Sequence, residues 1–230
     1  ILKVFKNDWL RANEFAHKKI FNESNVTDRL EHPFIVKPIC CLQTKNNLYL
    51  VYEYFLEGNL KNYIQRKSRL DPVEAVLKAR KMLEILLYLK LKNVIHRDLK
   101  SSAFLVRNSE VYLSGFFNAV HISGDDAEDT DVWNNNLVYT APENYFSHIY
   151  TYKSDVFSIG IIFYEMLVGR PPVTHQEIVS CNGKIPDFDL RTISKTMSWA
   201  PELTEFLKRT LALNPEKRFS ADEALQYLDK

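Results

Sequence analysis

Residues 96–103 read HRDLKSSA, and residues 113–117 read LSGFF. These two stretches decide how the chain is interpreted, because clear helical or strand patterns flank them and place them in loops. The first stretch has a carboxylate, Asp98, two residues before an ammonium, Lys100. A pair of short predicted strands separates the first stretch from the second. The loops are therefore the first place to look for chemistry.

A long helix is predicted directly upstream, from Asp71 to about Lys92. Asp71 offers a capping acceptor, and Pro72 occupies the first helical position, where its missing N–H has no partner to lose. Apolar residues then recur at a spacing close to 3.6, which is typical of an amphipathic helix. Further helices are predicted at 154–168, which is nearly all apolar, at 201–211, and at 220–228, which opens with a capping box.

The first 55 residues favour strands instead. Residues 1–5 read ILKVF, and two more strands are predicted at 35–42 and 48–55, joined by the turn-forming residues 45–47. A polar helix between residues 13 and 30 ends before Pro33. Strands followed by helices predict an α+β fold with two lobes, a small β-rich N-lobe at 1–55 and a larger helical C-lobe at 56–230, which together form one domain.

The composition of the 230 residues excludes several classes of protein. Hydrophobic residues make up 46% of the chain, which excludes a mostly disordered one. The 30 Lys and Arg residues balance the 29 Asp and Glu residues, so no overall field recruits nucleic acid or an anionic membrane. No apolar run reaches the roughly 18 residues needed to span a bilayer.

Cysteine usage and the first residues suggest a cellular context. Cys40, Cys41 and Cys181 form no C-x-x-C pair and no metal spacing, so we expect reduced thiols and a cytoplasmic location. The sequence begins within a predicted strand, without an initiator Met or a signal peptide. We therefore expect a domain of a longer, multidomain protein.

The two opening stretches resemble the catalytic segments of eukaryotic protein kinases, H-R-D-x-K-x-x-N and D-F-G. The resemblance implies that Asp98 accepts the hydroxyl proton of a protein substrate and that Lys100 stabilises the transferred phosphoryl group. A lysine at position 100 resembles serine/threonine kinases more than tyrosine kinases. Residues 141–143, APE, resemble the end of a kinase activation segment, and the resemblance pairs Glu143 with Arg218. Asp155 resembles the aspartate that braces the catalytic loop.

The same resemblance implies a nucleotide site in the N-lobe. Lys3 matches the lysine that contacts the ATP α- and β-phosphates, and Glu23 matches the C-helix glutamate that pairs with it. Tyr52 matches the gatekeeper, a bulky residue that narrows the pocket, although residues 48–55 also suit an ordinary buried aromatic strand. The expected nucleotide-binding residues are Lys3, Glu23, Tyr52, Glu53, Phe55 and Leu105.

The chain departs from the family at the two magnesium ligands. Ala103 stands at the position of the Asn, and Gly115 stands at the position of the Asp. Magnesium is a hard cation that requires oxygen ligands, and neither residue has a side-chain oxygen. We therefore predict no metal ligand in this chain.

Other departures surround the same chemistry. Phe117 replaces the flexible glycine of D-F-G, and Asn135-Asn136 stands where active serine/threonine kinases usually carry Gly-Thr. Gly58 is the first of only six glycines, so no glycine-rich phosphate loop precedes Lys3, which trimming of the chain would also explain.

Residues 124–131, GDDAEDTD, are strongly acidic. A solvated loop is the plain interpretation, since like charges repel one another. The alternative is a surrogate for an activating phosphate or a contact for a basic partner. Ser123 and Thr130 are candidate phosphorylation sites.

These features predict a pseudokinase, a kinase-like domain with little or no phosphoryl transfer that binds protein partners as a regulatory or scaffolding module. No cofactor is required, and ATP is expected to bind without magnesium if it binds at all. A weak or atypical ATP-dependent serine/threonine kinase with relocated metal ligands is the alternative. An unrelated α+β domain with chance motifs is a third.

Residues 101–106, followed by Gly115 and Phe116, are also similar to the mixed-lineage kinase domain-like pseudokinase, which likewise carries Gly-Phe in place of Asp-Phe. That protein lacks the complete His-Arg-Asp present here, and its membrane-disrupting helical bundle is absent from this sequence. The similarity implies a similar route of catalytic loss rather than identity.

Overall fold

The computed structural model describes residues 1–12, 14–122, 126–128, 137–147, 149–180 and 200–230. The predictions for Ser123, Thr130, Asn135, Asn136 and Cys181 fall outside these residues, as does most of the acidic segment. No helix within the described ranges is long and apolar enough to cross a membrane.

A three-stranded antiparallel sheet forms the small first part of the molecule. Strands β1 (Leu2–Lys6) and β2 (Cys40–Gln43) both pair with the central strand β3 (Asn47–Val51). Two helices, α1 (Asn7–Ala12) and α2 (Glu14–Thr27), connect β1 to β2. A small core forms here from Leu10, Ile20, Val36, Leu48, Leu50, Tyr52 and Phe55.

Two of these strands are shorter than the sequence predicts. The segment predicted as a strand at 35–42 becomes regular only at Cys40, because Val36 N donates to Leu113 O at 2.8 Å and directs the chain towards another strand. Pro38 also has no N–H with which to extend the sheet. The segment predicted at 48–55 ends at Val51, since the partner strands do not extend beyond it.

Helices form the larger second part. They are α3 (Leu60–Lys67), α4 (Pro72–Leu91), α5 (Pro142–Ser147), α6 (Tyr152–Val168), α7 (His175–Ser180), α8 (Ala200–Thr210) and α9 (Ala221–Leu228). The cap of α4 is confirmed, since Asp71 accepts from Val73 N at 2.9 Å. The predicted capping box of α9 is also confirmed, with Ser220 and Glu223 as its two members.

Helix α6 is the centre of the larger part, and all its residues from 154 to 167 are buried. Gly160 allows the end of α8 to approach it closely. A Cβ at this position would lie 2.8 Å from the side chains of Leu211 and Thr210. The absence of a side chain therefore sets the distance between the two helices.

Short strand pairs position the loops that the sequence singled out. Strand β4 (Val94–Ile95) pairs with β7 (Val120–His121), and β5 (Phe104–Arg107) pairs with β6 (Glu110–Leu113). The two pairs bring the loop at 96–103 beside the loop at 114–119. The predicted α+β fold, with a small strand-rich N-terminal region and a larger helical C-terminal region, is confirmed.

The plain interpretation of the acidic segment as a loop is wrong for three of its residues. Strand β8 (Asp126–Glu128) pairs with β9 (Ile149–Thr151) in an antiparallel register. The pairing uses backbone groups more than twenty residues apart, which overrides the unfavourable strand propensity of the acidic side chains.

Candidate functional site

The loop that carries Asp98 is held from below by Asp155 of α6. The Asp155 carboxylate accepts hydrogen bonds from His96 N at 2.8 Å and from Arg97 N at 3.0 Å. Arg97 has a φ of 66°, a left-handed conformation that non-glycine residues seldom adopt. Burial raises the pKa of Asp155 to about 6. The bracing role that the sequence assigned to Asp155 is confirmed.

His96 joins this loop to the one that contains Gly115. Its side chain is fully buried, its Nε2 lies 3.3 Å from Ser114 O, and its ring packs against Phe116 with centroids 4.8 Å apart. Burial lowers the pKa of His96 to about 4, so the imidazole is neutral at pH 7. His96 therefore acts as a structural link here.

Asp98 and Lys100 lie together at the surface of the cleft. Lys100 Nζ donates to both carboxylate oxygens of Asp98, at 3.0 and 2.9 Å. Asn118 Nδ2 donates to Asp98 Oδ2 at 3.3 Å. Only 18% of the Asp98 side chain is exposed. The sequence did not single out Asn118, because an asparagine three residues beyond Gly115 carries no signal of its own.

The two positions that match the magnesium ligands of kinases offer no side-chain ligand. Ala103 is buried, and its carbonyl oxygen accepts hydrogen bonds from the N–H and the hydroxyl of Ser114, at 2.9 and 2.8 Å. Gly115 has a φ of 85°, and a Cβ there would meet no atom within 4 Å. The described residues contain no group of three or more His, Cys, Asp or Glu side chains that could hold a metal ion. The residues present do not fit magnesium.

Lys3 and Glu23 are brought together, as the sequence predicted. Lys3 Nζ, on β1, lies 3.6 Å from Glu23 Oε1, on α2. The Glu23 side chain is fully buried, and burial raises its pKa while the charge of Lys3 opposes the rise. Burial likewise lowers the pKa of Lys3, against the attraction of Glu23. The two charges therefore stabilise each other at a point where the Glu23 carboxylate has no access to solvent.

Two aromatic rings contact the same lysine. Lys3 Nζ lies 4.5 Å from the centroid of the Tyr52 ring and 4.4 Å from that of Phe117. Tyr52 is buried, and Phe117 packs edge-on against Phe5 with centroids 6.2 Å apart. Phe117, which replaces the expected glycine, therefore lies against the candidate phosphate-binding lysine.

Asn22 ties helix α2 to the segment that contains Phe117. Its Nδ2 donates to Ala119 O at 2.8 Å and to Phe117 O at 3.2 Å, and lies 3.4 Å from Phe116 O. Sequence reasoning assigned Asn22 no role. The acceptors are backbone carbonyls, which every residue type supplies, so the sequence contains no signal for this contact.

The remaining predicted nucleotide residues lie where the two parts of the molecule join. Glu53 is exposed and forms an ion pair with Arg107, at 2.9 Å. Phe55 is buried, and the guanidinium of Arg107 lies 4.2 Å from its ring centroid. Leu105 is partly buried against the same small core. The structure leaves their role in binding a nucleotide as a prediction.

The pair of Glu143 and Arg218 is confirmed. Arg218 Nη1 and Nη2 donate to the two carboxylate oxygens of Glu143, at 2.7 and 2.9 Å. The Arg218 side chain is fully buried, and its Nε donates to Ala212 O at 2.9 Å. This bidentate pair anchors α5 to the segment before α9.

The small sheet and the larger helical part, with the loop that Asp155 braces, define a two-part α+β domain. Residues 2–228 match the family described as protein kinase domain. The chain therefore belongs to the protein kinase domain family.

Several proteins named as kinases are similar to this chain. "Serine/threonine-protein kinase pakF" of Dictyostelium discoideum is 28% identical over 218 residues, which cover 94% of this chain and 18% of that protein. An Aurora kinase of Yarrowia lipolytica is 29% identical over 213 residues, which cover 89% and 54% respectively. The "hormonally up-regulated neu tumor-associated kinase homolog A" of Xenopus laevis is 30% identical over 230 residues, which cover 97% and 33%. The chain thus spans less than two thirds of each of these relatives.

Proposed function

We propose that this protein kinase domain is a pseudokinase, with little or no phosphoryl transfer, that acts as a regulatory or scaffolding module by binding protein partners. One observation carries the proposal. The positions at which the family holds magnesium are a buried alanine, Ala103, whose carbonyl is already used by Ser114, and a glycine, Gly115. Neither residue supplies a side-chain oxygen for a hard cation.

The size of the metal effect supports this choice. Phosphoryl transfer depends on positioning and on charge neutralisation around the phosphates. A metal ion contributes several kcal/mol to such a transition state, and each ~1.4 kcal/mol changes the rate about tenfold. Loss of both ligand side chains therefore lowers the rate by several orders of magnitude, and Asp98 supplies nothing equivalent.

The contrast between scaffold and cleft supports a binding role. The scaffold contacts of Asp155 and Arg218 are complete, so the helical part is held in a defined shape. A defined surface is what a partner protein requires, whereas the described residues of the cleft form no group that could hold a metal ion. In this proposal ATP is not required, and magnesium has no part in any binding. A cytoplasmic location is also part of it, supported by the free thiols of Cys40 and Cys41.

The alternative is a weak or atypical serine/threonine kinase. A specific observation favours it: Lys3 and Glu23 form their pair at 3.6 Å, and Asp98 and Lys100 are both in place. The name of one relative, "Serine/threonine-protein kinase pakF", describes a serine/threonine kinase.

A phosphate-incorporation assay tests the proposal. The purified protein is incubated with labelled ATP, a generic serine/threonine substrate, and Mg²⁺ or Mn²⁺. We expect incorporation no higher than that of Asp98→Asn. The double variant Ala103→Asn with Gly115→Asp restores the two missing ligands and is the matched comparison. Incorporation by the natural sequence that disappears in Asp98→Asn would support the alternative instead.

A further inference from the structure

The ammonium of Lys3 already has three neighbours. Its Nζ lies 3.6 Å from the Glu23 carboxylate and within 4.5 Å of the ring centroids of Tyr52 and Phe117. Cations are attracted to aromatic faces at distances up to about 6 Å, and the attraction strengthens when the cation is desolvated. Burial lowers the pKa of Lys3 while 34% of its side chain stays exposed, so the ammonium is partly desolvated. The lysine is therefore satisfied without a ligand.

A nucleotide phosphate would compete with this arrangement for space and for charge. A phosphate oxygen must come within about 2.9 Å of an ammonium nitrogen to form a charge-assisted hydrogen bond. The faces of the two rings carry partial negative charge, which repels a phosphate. The Lys3 side chain is 34% exposed, so the rings do not enclose it completely. A phosphate that approaches Lys3 Nζ from the side of Phe117 has to displace that ring, which lies on the short turn Phe116–Asn118 rather than in the sheet.

The backbone around Phe117 is held on both sides. Phe116, the residue before it, is fully buried against His96. Asn22 donates to the carbonyl of Phe117 itself and to that of Ala119. The ring further contacts Phe5. Rotation of the Phe117 ring away from Lys3 therefore costs its packing against Phe5, and movement of the backbone that carries the ring also costs the hydrogen bonds from Asn22.

We propose that Phe117 determines nucleotide occupancy in this chain: its ring occupies the phosphate-facing side of Lys3 and excludes nucleoside triphosphates, and Asn22 is the positioning residue that holds it there. This inference rests on the proposed function, since it deepens the account of the same cleft. It also goes further, because exclusion by Phe117 acts on any nucleoside triphosphate, with or without a metal ion.

Metal-free ATP binding is the direct test, with ATP and EDTA as the probe and calorimetry and thermal shift as readouts. The natural sequence should show no binding. Phe117→Ala should show binding, with an affinity about 10- to 100-fold above the upper limit that the titration sets for the natural sequence, the range for one hydrogen bond to a charged group. Phe21→Ala removes a ring of the same size from an exposed site on α2 and should leave binding unchanged.

Three further variants keep the test decisive. Asn22→Ala should raise ATP affinity less than Phe117→Ala, because it loosens the loop but keeps the ring. Adding Lys3→Met to Phe117→Ala should abolish the gained binding. If Phe117→Ala does not fold, Phe117→Leu takes its place, since it keeps apolar volume but removes the aromatic face.

The outcomes separate this inference from the proposed function. Tight metal-free binding by the natural sequence, or a folded Phe117 variant with no gain, overturns the role of Phe117 and leaves the absence of phosphoryl transfer standing. A gain in binding without phosphate incorporation supports both. Phosphate incorporation by the natural sequence overturns the proposed function, and it also overturns the exclusion of nucleotide.

Discussion

Two buried groups, His96 in the loop at 96–103 and Asp155 beneath it, have pKa values shifted in opposite directions. Asp155 accepts two backbone hydrogen bonds, yet burial raises its pKa to about 6 from an ordinary 3.8. Burial lowers the pKa of His96 to about 4 from 6.5. Each shift has the same cause, since a poorly solvated interior disfavours the charged form of both groups.

The pH dependence of stability should therefore contain two opposing contributions between pH 4 and 6.5. The folded protein holds the Asp155 proton more tightly than the unfolded chain, so this contribution falls as pH rises through that range. It binds the His96 proton less tightly, so that contribution falls as pH drops. Replacing His96 removes only the second contribution.

We expect the stability deficit of His96→Gln, relative to the natural sequence, to shrink as pH falls from 6.5 to 4, by up to about 3 kcal/mol. Urea unfolding of both proteins at half-unit pH intervals measures this difference. Both proteins contain the same carboxylates, so the contributions of these groups to the pH dependence cancel in the difference. A deficit that stays constant across the range would show that folding does not lower the pKa of His96.

At the scale of the elements, the sequence predicts the start of a helix where the capping residues lie beside it in the chain. Asp71 and Pro72 specified the start of α4, and Ser220 with Glu223 specified the start of α9. The predictions of strands and loops are wrong where the hydrogen-bond partner is a backbone group far away in the sequence. Val36 leaves the sheet to bond Leu113, and residues 126–128 become a strand by pairing with β9. Neither partner is visible in the residues of the segment itself.

The candidate site divides along the same line. The contact of Lys3 with Glu23 was predicted because both residue types belong to a recognised pattern. The contacts of Asn22, Asn118 and Phe117 were not predicted. Asn22 donates to backbone carbonyls, and Asn118 donates to a carboxylate that is already paired. Phe117 contacts an ammonium from a distant strand. Only the folded chain brings these groups together.

The close approach of α8 to α6 at Gly160 gives a prediction for packing. Gly160→Ala would normally favour a helix by about 1 kcal/mol. Here the new methyl would lie 2.8 Å from the side chains of Leu211 and Thr210, both buried. Overpacking of this kind costs about 1–3 kcal/mol, so we expect a lower Tm by calorimetry.

A double variant distinguishes this explanation from a general intolerance of α6. Leu211→Ala creates room for the new methyl, so adding it to Gly160→Ala should destabilise by less than the two single effects together. Strict additivity, or a raised Tm for Gly160→Ala alone, would contradict the close contact.

For the whole molecule, the complete scaffold and the incomplete cleft predict different consequences of mutation. Arg218→Ala removes the guanidinium that holds both oxygens of Glu143, and breaking a buried charge pair costs about 3–5 kcal/mol. We expect a large loss of stability and weaker partner capture. Asp98→Asn should leave the stability and the partner capture unchanged, since an amide has the same shape and can still accept a hydrogen bond from Lys100.

Denaturant unfolding and pull-down of a partner from cell extract, run on both variants, measure these effects. Arg209→Ala is the matched control for Arg218→Ala, because it breaks an exposed pair with Glu205 at 3.0 Å and should cost at most about 0.5 kcal/mol. Loss of partner capture by Asp98→Asn at unchanged stability would instead indicate that catalysis is the function.

The rings that contact Lys3 also bear on pharmacology. A small molecule that places an anionic or hydrogen-bonding group beside Lys3 would meet the rings of Tyr52 and Phe117 in this domain. A chemical probe for it should carry an apolar surface that packs against the two rings and leaves the ammonium with its present partners.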